Sequence, residues 1–524
     1  MSVNVNRREF LSGFAAFAAA FASHDVFAKA TGLPEEIPVY YNAYLAEIVA
    51  RVNRHRMEDG CGVGFWFLTD LHISANHRKS GLLLTHLVSE TGLRRVICGG
   101  DLPTAFGTAQ DLDAMVRLHW PRLWRDPLQQ AGASVCLAKG NHDCHITRPD
   151  KRQEHLGAQY SAEEVAALIR ECNGNAAATT DAGNPAAAYC FFDVAEEKVR
   201  YVIADTSDAP CERTEKVGVV GGHVQMSERQ LKWLAGTALG TVPAGYAVVV
   251  VHHVPVARVV ATTTPPPSLR VFKSLLEVYQ NRQAIEIGGT RFDFAKRRGG
   301  DIALDLTGHH HSDRQAFENG ILHLSESCDA LYRDYLRRTP FSGALPEKKG
   351  KTVYEQTFDC IQLNLAKGLV YVTRVGGGQD RVYHLRPTEV KSGDTVALAA
   401  SAVAAADWKA FDCDACKINA RAQTPEAYWT FLNVHGTVGA DGRFAAGTPG
   451  PSLAVALDAQ LRKEFFPIVV TGGAASQAAT WESNRVLERD VVALERRRDD
   501  LRRRIARMKT RVEELDHSAD LLLK

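Results

Sequence analysis

The stretch Gly62-Val-Gly-Phe-Trp-Phe-Leu-Thr-Asp70-Leu-His72 decides the architecture. Val63–Leu68 is a short, almost unbroken apolar run, the signature of a strand buried on both faces. It ends in an Asp-x-His pair, so polar ligand-type groups are delivered at the strand's C-terminal end. Working outward, the same phrase recurs. Arg95–Cys98 leads into Gly99-Gly100-Asp101, and Ser134–Leu137 leads into Gly140-Asn141-His142-Asp143. Ala247–Val251 runs into His252-His253-Val254-Pro255, and Ile302–Leu306 into Thr307-Gly308-His309-His310-His311. Further strands are predicted at Ala188–Val194, Val199–Ala204, Ile321–Ser325, Phe358–Leu365 and Leu369–Val375, the last two joined by a hairpin at Lys367-Gly368. Helical segments at Leu82–Glu90, Leu112–Gln130, Ala162–Cys172 and Glu228–Leu234 alternate with them. That alternation predicts a layered α/β domain.

Composition narrows the class. The 524 residues are enough for several domains, and 62 basic against 61 acidic residues give a net charge of +1. No global field therefore favours nucleic acid or an anionic membrane. Eleven cysteines are too few for a disulfide scaffold and odd in number, so at least one is free in a monomer. Cys98 and Cys136 read as small buried hydrophobes, and Cys413-Asp-Ala-Cys416 is a lone pair without the four ligands of a zinc site. No apolar run reaches the ~18 residues of a membrane span.

Residues 1–30 read as an address. Arg7-Arg8-Glu-Phe10-Leu11, an apolar Ala-rich stretch and Ala28-Lys29-Ala30 form a basic pair, a hydrophobic segment and a cleavage site. They resemble a twin-arginine (Tat) signal peptide, which implies the Tat export machinery as a partner and a periplasmic or otherwise exported, prefolded protein. Residues 31–376 carry the motifs, and 377–480 read as an accessory region with β-like runs such as Tyr428–Val434 and Phe466–Val470. In 481–524 a stripe from Leu487 to Leu522 follows steps of four and three, broken only by Arg498. It predicts a long coiled-coil-like helix, able to pair two copies or to pack back on its own chain. Cys144–Pro185 and Arg258–Gly300, with Thr-Thr-Thr-Pro-Pro-Pro at 262–267, read as surface insertions that could wall a substrate site.

Every candidate group at the strand ends is Asp, Asn or His, and none is Cys. Two divalent cations about 3.5–4 Å apart need a bridging carboxylate with imidazoles and oxygens around it. In an extended segment residues i and i+2 share a side, which would aim Asp70 with His72 and His309 with His311, and turn His310 away. Glycine before Asp101, Asn141 and His309 allows a tight turn or a close approach of backbone to the site.

The ordered set Asp-x-His, Gly-Asp, Gly-Asn-His-Asp, His, Gly-His-x-His resembles the calcineurin-like metallophosphoesterase superfamily over about Gly62–Gly376. The resemblance implies a four-layer fold, a double β-sandwich flanked by helices. It implies that Asp70, His72 and His311 hold one metal, that Asn141, His252 and His309 hold the other, and that Asp101 bridges them. The paired-His form of the fourth motif favours His252, and a strict His-x-Pro reading favours His253. The metals would be Mn, Fe or Zn. The implied chemistry is in-line attack on phosphorus by a hydroxide held between them, with His142 assisting the leaving oxygen. Departures narrow the group: Thr104 stands where purple acid phosphatases carry an iron-binding Tyr, and no Asp-Arg-Gly follows Gly100. Ile73 replaces the Gly usual in 5′-nucleotidases, and His142 is retained where lipid A-pathway hydrolases carry Arg. The expectation is an exported hydrolase of phosphate esters, with phosphodiesters slightly preferred. The alternatives are a phosphomonoesterase on a nucleotide or sugar phosphate, and a metal-binding adaptor assembling through its C-terminal helix.

Overall fold

The computed structural model of the chain describes residues 36–72, 77–102, 120–143, 162–173, 178–208, 224–257, 265–330, 348–412, 416–418, 429–431 and 433–472. The export-type segment 1–30, Thr104 and the heptad stripe 487–522 lie outside them, as do Cys413 and residues 144–161 and 258–264 of the two insertions. Among the described residues no helix is long and apolar enough to cross a membrane.

In chain order the strands of the two main sheets are β1 Val63–Leu68, β2 Arg95–Cys98, β3 Ser134–Leu137, β4 Thr179–Thr180, β5 Cys190–Val194, β6 Val199–Ile203, β7 Ala247–Val251, β8 Ile302–Thr307, β9 Arg314–Glu318, β10 Ile321–Ser325, β11 Thr357–Asn364, β12 Leu369–Gly376, β13 Arg381–His384, β14 Thr388–Lys391, β15 Asp407–Asp412, β16 Gly450–Leu457 and β17 Lys463–Thr471. The helices are α1 Asn42–Met57, α2 His77–Thr91, α3 Asp126–Gln130, α4 Ala162–Cys172, α5 Glu228–Trp233 and α6 Pro267–Gln280. The first sheet runs β15-β16-β17-β13-β12-β11-β1-β2-β3, with β14 also on β17, and the second runs β9-β10-β8-β7-β6-β5-β4.

All six residues of β1 are buried, and alternation explains why. Phe65 and Phe67 point between the sheets, where they meet Tyr201, Val249, Val251 and Leu306 of the second sheet. Trp66 and Leu68 point the other way, into a layer formed by Leu45 and Val52 of α1, Leu84 and Leu87 of α2, Leu128 of α3 and Ile169 of α4. On the outer face of the second sheet, Val248 and Val250 pack with Leu231 of α5 and Phe272 and Leu276 of α6. The order is helices, sheet, sheet, helices. Cys98 and Cys136 are buried in these layers as small apolar groups.

Two readings change. Arg258–Gly300 is not a surface insertion from Pro267 onward, because α6 is the outer layer of the second sheet and buries Leu269, Phe272, Leu275, Leu276 and Tyr279. Pro267 sits in the first turn, where proline costs no helical hydrogen bond, so the proline run introduces the helix. Residues 162–172 of the other insertion likewise lie in the helix layer of the first sheet. The stretch after Gly376 adds strands to the first sheet. Phe411, Leu453, Val455 and Phe465 enter the core between the sheets. On the opposite face Ala454, Ala456, Phe466 and Ile468 are covered by Phe444 of a small three-stranded sheet (395–397, 436–438, 443–446), and by Leu398 just after its first strand, in place of helices.

This topology gathers the motifs. Parallel β1, β2 and β3 end in register at Leu68, Cys98 and Leu137. Parallel β6, β7 and β8 end in register at Ile203, Val251 and Leu306. The five motif loops leave the carboxyl ends of these strands, where α/β sheets collect ligand groups.

Candidate metal centre

Asp70, His72 and His311 form one group whose ligand-type atoms lie within 4.8 Å of one another, and Asp101, His253 and His309 form a second. His72, Asp101 and His142 form a third group that overlaps the first two. Asn141 joins the second group, with its Oδ1 2.8 Å from His309 Nδ1. Asp70, His72, Asp101, Asn141, His309 and His311 are thus brought to one place, and His142 stands at its rim.

His252 is not. Its Nδ1 faces the Val254 carbonyl at 3.0 Å and its Nε2 faces Asp305 Oδ1 at 2.8 Å. Both nitrogens are turned to partners outside the clustered groups, and His252 belongs to none of those groups. His253 takes the place expected of it. Its Nδ1–H donates to the Gly99 carbonyl at 2.8 Å, which turns Nε2 into the cluster, 3.0 Å from Asp101 Oδ2. The assignment to His252 is therefore corrected to His253.

The expected extended geometry is also absent. Asp70, His72, Asp101, His309 and His311 all have positive φ, between 46° and 70°. These five side chains converge because the backbone curls back at each of them, not because alternate residues share a side. Left-handed backbone at a non-glycine residue costs on the order of 1–3 kcal/mol and persists where the surroundings impose it. Here Asp70 N–H donates to Gly100 O and His72 N–H to Asp101 O. Glycine permits the resulting closeness: a Cβ on Gly140 would lie 2.1 Å from Asp101 Oδ1, and one on Gly308 would lie 2.0 Å from Thr69 Oγ1.

Asp143 is the member of the Gly-Asn-His-Asp quartet to which the sequence assigned no task. It is buried and accepts backbone N–H bonds from Asp101 (2.9 Å), Leu102 (2.9 Å) and Gly140 (2.7 Å), tying the second loop to the third. Burial, with the Asp101 charge beside it, pushes its carboxyl up to about 6. Asp305, a lone carboxylate inside the apolar β8, was the other missed residue. It spans His252 and His323, at 2.8 and 2.6 Å. An acid within an apolar strand is the signal that could have found it.

Do these residues fit cations? Asp70 Oδ2 is used up by the Thr69 hydroxyl (2.7 Å) and His309 N–H (3.0 Å). Its fully buried Oδ1 has no well-formed hydrogen bond and points among His311 Nε2 (3.0 Å), His72 Nε2 (3.6 Å) and His253 Nε2 (3.9 Å). His72 Nε2 and His311 Nε2 face each other at 3.0 Å. Lone pairs converging on one point, with no Lys or Arg among the ion partners of Asp70 or Asp101 in the described residues, are what a divalent cation satisfies. Burial opposes the charge of Asp70, yet the His311 and His253 imidazoles hold its carboxyl well below the usual range. Burial lowers His309 to about 3, which keeps it neutral as a ligand must be. The donor set fits.

A family model for calcineurin-like phosphoesterases matches residues 64–313, the span from β1 to just past His311. Those residues are a calcineurin-like phosphoesterase domain. Such a domain is metal-dependent and acts on phosphoesters, and the His and Asp groups described above are its candidate ligands. No curated protein matches the chain. Among solved structures, a dimetal phosphatase from Danio rerio is 15% identical, over 62% of this chain and 98% of its own, with a TM-score of 0.36. GAP50 of Plasmodium, described as the anchor in the inner membrane complex, is 11% identical over 60% and 85%, with a TM-score of 0.33. A putative 5′-nucleotidase from Staphylococcus aureus is 15% identical over 60% and 53%, with a TM-score of 0.31. At such scores none of them says what the phosphoesterase domain of this chain acts on.

Proposed function

We propose that this chain is an exported phosphoesterase that hydrolyses phosphodiesters somewhat better than monoesters. The observation that carries the reading is the pair of adjoining His/Asp groups with half-exposed His142 beside Asp101. One group, Asp70, His72 and His311, would hold one divalent cation (Mn, Fe or Zn), and Asn141, His253 and His309 would hold another, with Asp101 between. When bound, such cations supply Lewis acidity to phosphate oxygens and a water acidified to near neutral pH.

The chain's own groups do the rest. His142 N–H donates to Asp101 Oδ1 at 2.8 Å, so the loop that presents the imidazole is fixed to the centre of the site. Burial outweighs the Asp101 charge and lowers the His142 pKa, so the ring is neutral at pH 7 and offers an N–H. It donates that hydrogen bond to the leaving oxygen of the ester and steadies the charge that builds there. The His142 side chain is about 20% exposed, as a group facing substrate must be. The Arg7-Arg8 segment supports Tat-dependent export to the periplasm, because a chain exported after folding acquires its metals beforehand. The 487–522 stripe supports pairing of two copies.

Turnover of bis-p-nitrophenyl phosphate and p-nitrophenyl phosphate by metal-reconstituted protein tests the reading. The diester should turn over faster, and Asp101→Asn should lower both rates by at least about a hundredfold. Faster monoester turnover would overturn the diester preference. Protein that binds metal and cleaves neither ester would overturn the enzymatic reading.

A further inference from the structure

Five buried charged residues lie behind the His309–His311 loop and belong to no part of the proposed chemistry. Arg374 Nε and Nη2 meet Asp359 at 2.8 and 2.9 Å, and Nη2 meets Asp313 at 2.8 Å. Arg381 Nη1 reaches Glu326 at 2.9 Å and Asp313 at 3.2 Å, and its Nη2 reaches Asp359 at 3.0 Å. All five side chains are buried. The members come from separate parts of the chain. Asp313 directly follows the Gly308–Ser312 loop, Glu326 follows β10, and Asp359 and Arg374 lie on β11 and β12. Arg381 opens β13, which pairs with β17 in the stretch after Gly376.

Asp313 is tied to the ligand loop a second way. Its Oδ1 accepts the Ser327 N–H at 2.9 Å, and Ser327 Oγ donates to the His311 carbonyl at 3.3 Å. The strap that carries Ser327 holds the other loops too. Ser325 Oγ donates to Gly308 O, Asp329 N–H to Thr69 O, and Ala330 N–H to Asp70 O. A guanidinium on β13 is therefore linked, through one carboxylate and one serine, to the backbone of residues that adopt strained left-handed conformations. Such conformations hold only while their surroundings hold them.

We propose that Asp313 and Arg381 are positioning residues of the Asp70–His72–His311 half of the centre, and that the strands after Gly376 set the geometry of that half through them. The inference rests on the metal-centre reading above. It also gives the C-terminal strands a role in the site, although they lie outside the phosphoesterase domain match.

The test is cation titration of the full-length metal-free protein with Mn2+ by calorimetry, alongside circular dichroism and Tm. Wild type should bind two Mn2+ per chain. Arg381→Lys keeps the charge but loses the fork, and Asp313→Asn keeps the shape but loses the charge. Each should weaken one of the two binding events by about tenfold or more and leave the other unchanged, the size seen for outer partners of metal ligands. Glu464→Gln is the control. Glu464 also lies in the C-terminal strands, where it accepts from Ala402 N–H and faces His384, with no contact to the ligand loop. It should lower Tm and leave both binding events alone. If Arg381→Lys and Asp313→Asn fold and bind as wild type does, positioning is overturned. It is also overturned if Glu464→Gln weakens binding as much as they do, since the effect is then general destabilisation. If wild type itself binds no Mn2+, the metal-centre reading fails and takes this inference with it.

Discussion

Two clusters of buried acids and their partners sit within a few residues of each other, and they resolve the same electrostatic problem differently. Asp313, Glu326 and Asp359 lie as close together as a cation-binding triad would. Arg374 and Arg381 fill the space between them, with guanidinium groups ion-paired to carboxylate oxygens. At Asp70 and Asp101 the neighbours are imidazoles, and those imidazoles point nitrogens at one another. A buried carboxylate has to be compensated, because an isolated charge in a dry interior is far too costly. Where the chain supplies a fixed cation the cluster is a joint. Where it supplies only lone pairs, it is a vessel for a cation from outside. Acidic proximity alone does not tell these apart; the partner's chemistry does.

The contrast breaks or holds on a crossed pair of variants. Asp359→Asn leaves two buried guanidinium groups short of a counter-charge and should cost about 3–5 kcal/mol of stability. It should nonetheless retain a gain in Tm with added Mn2+, because every ligand-type residue is still present. Asp70→Asn should do the reverse. It should remove the share of that gain due to the Asp70–His72–His311 site, about 2.7 kcal/mol for a single site at a hundredfold excess over Kd, and leave the share due to the other site. Thermal melts of both variants with Mn2+ and with EDTA check this. A chelator effect in Asp70→Asn as large as in wild type would place that cation elsewhere.

A finer version separates neighbours in sequence. His253→Gln should weaken Mn2+ binding at one of the two sites by about a hundredfold, because it removes the nitrogen that faces Asp101. His252→Gln should keep both binding events and lose about 1–3 kcal/mol of stability, because Asp305 is left with a broken buried hydrogen bond. Swapped outcomes would restore His252 as the ligand.

The pair also shows what a sequence carries and what it withholds. The strands were legible because burial on both faces removes polar residues from them, as in Val248–Val251. The motifs were legible because each follows such a strand and uses only Asp, Asn and His. The choice between His252 and His253 was not, since both are histidines in one loop. It is settled by Asp305, which lies 53 positions away. The left-handed backbone at Asp70 and His311 was equally hidden, as Asp and His carry no local mark of it and the backbone contacts there come from Gly100, Ala330 and Ser327. Residues after Gly376 read as thin signal because their covering layer is another small sheet, so no helical period marks them. The proline run at 265–267 suggested a loop where it introduces a helix.

A buried carboxylate has a third recourse, which is to keep its proton, and Asp208 is placed to use it. It lies past β6, near Asp205, which is paired with Lys139 at 2.8 Å. Asp208 Oδ1 accepts Ser227 N–H at 2.7 Å, and Oδ2 faces the Ser227 hydroxyl. Burial, then the Asp205 charge, pushes its carboxyl up to about 6 from 3.8. Between those values the folded chain binds more protons than the unfolded one, so stability falls as pH rises across this window. The slope is at most ~1.4 kcal/mol per pH unit for one group. Asp208→Asn cannot titrate, and its amide can keep both contacts to Ser227. The variant should match wild type or fall slightly below it near pH 4 and exceed it by on the order of 1 kcal/mol at pH 7. Urea unfolding of the two proteins at pH 4, 5, 6 and 7, with chelator present throughout, reads the difference while every shared titration cancels. A difference that stays constant across that range would mean Asp208 ionises like an exposed acid, and that its compensation comes from Lys139 and the Ser227 hydrogen bonds instead of from a retained proton.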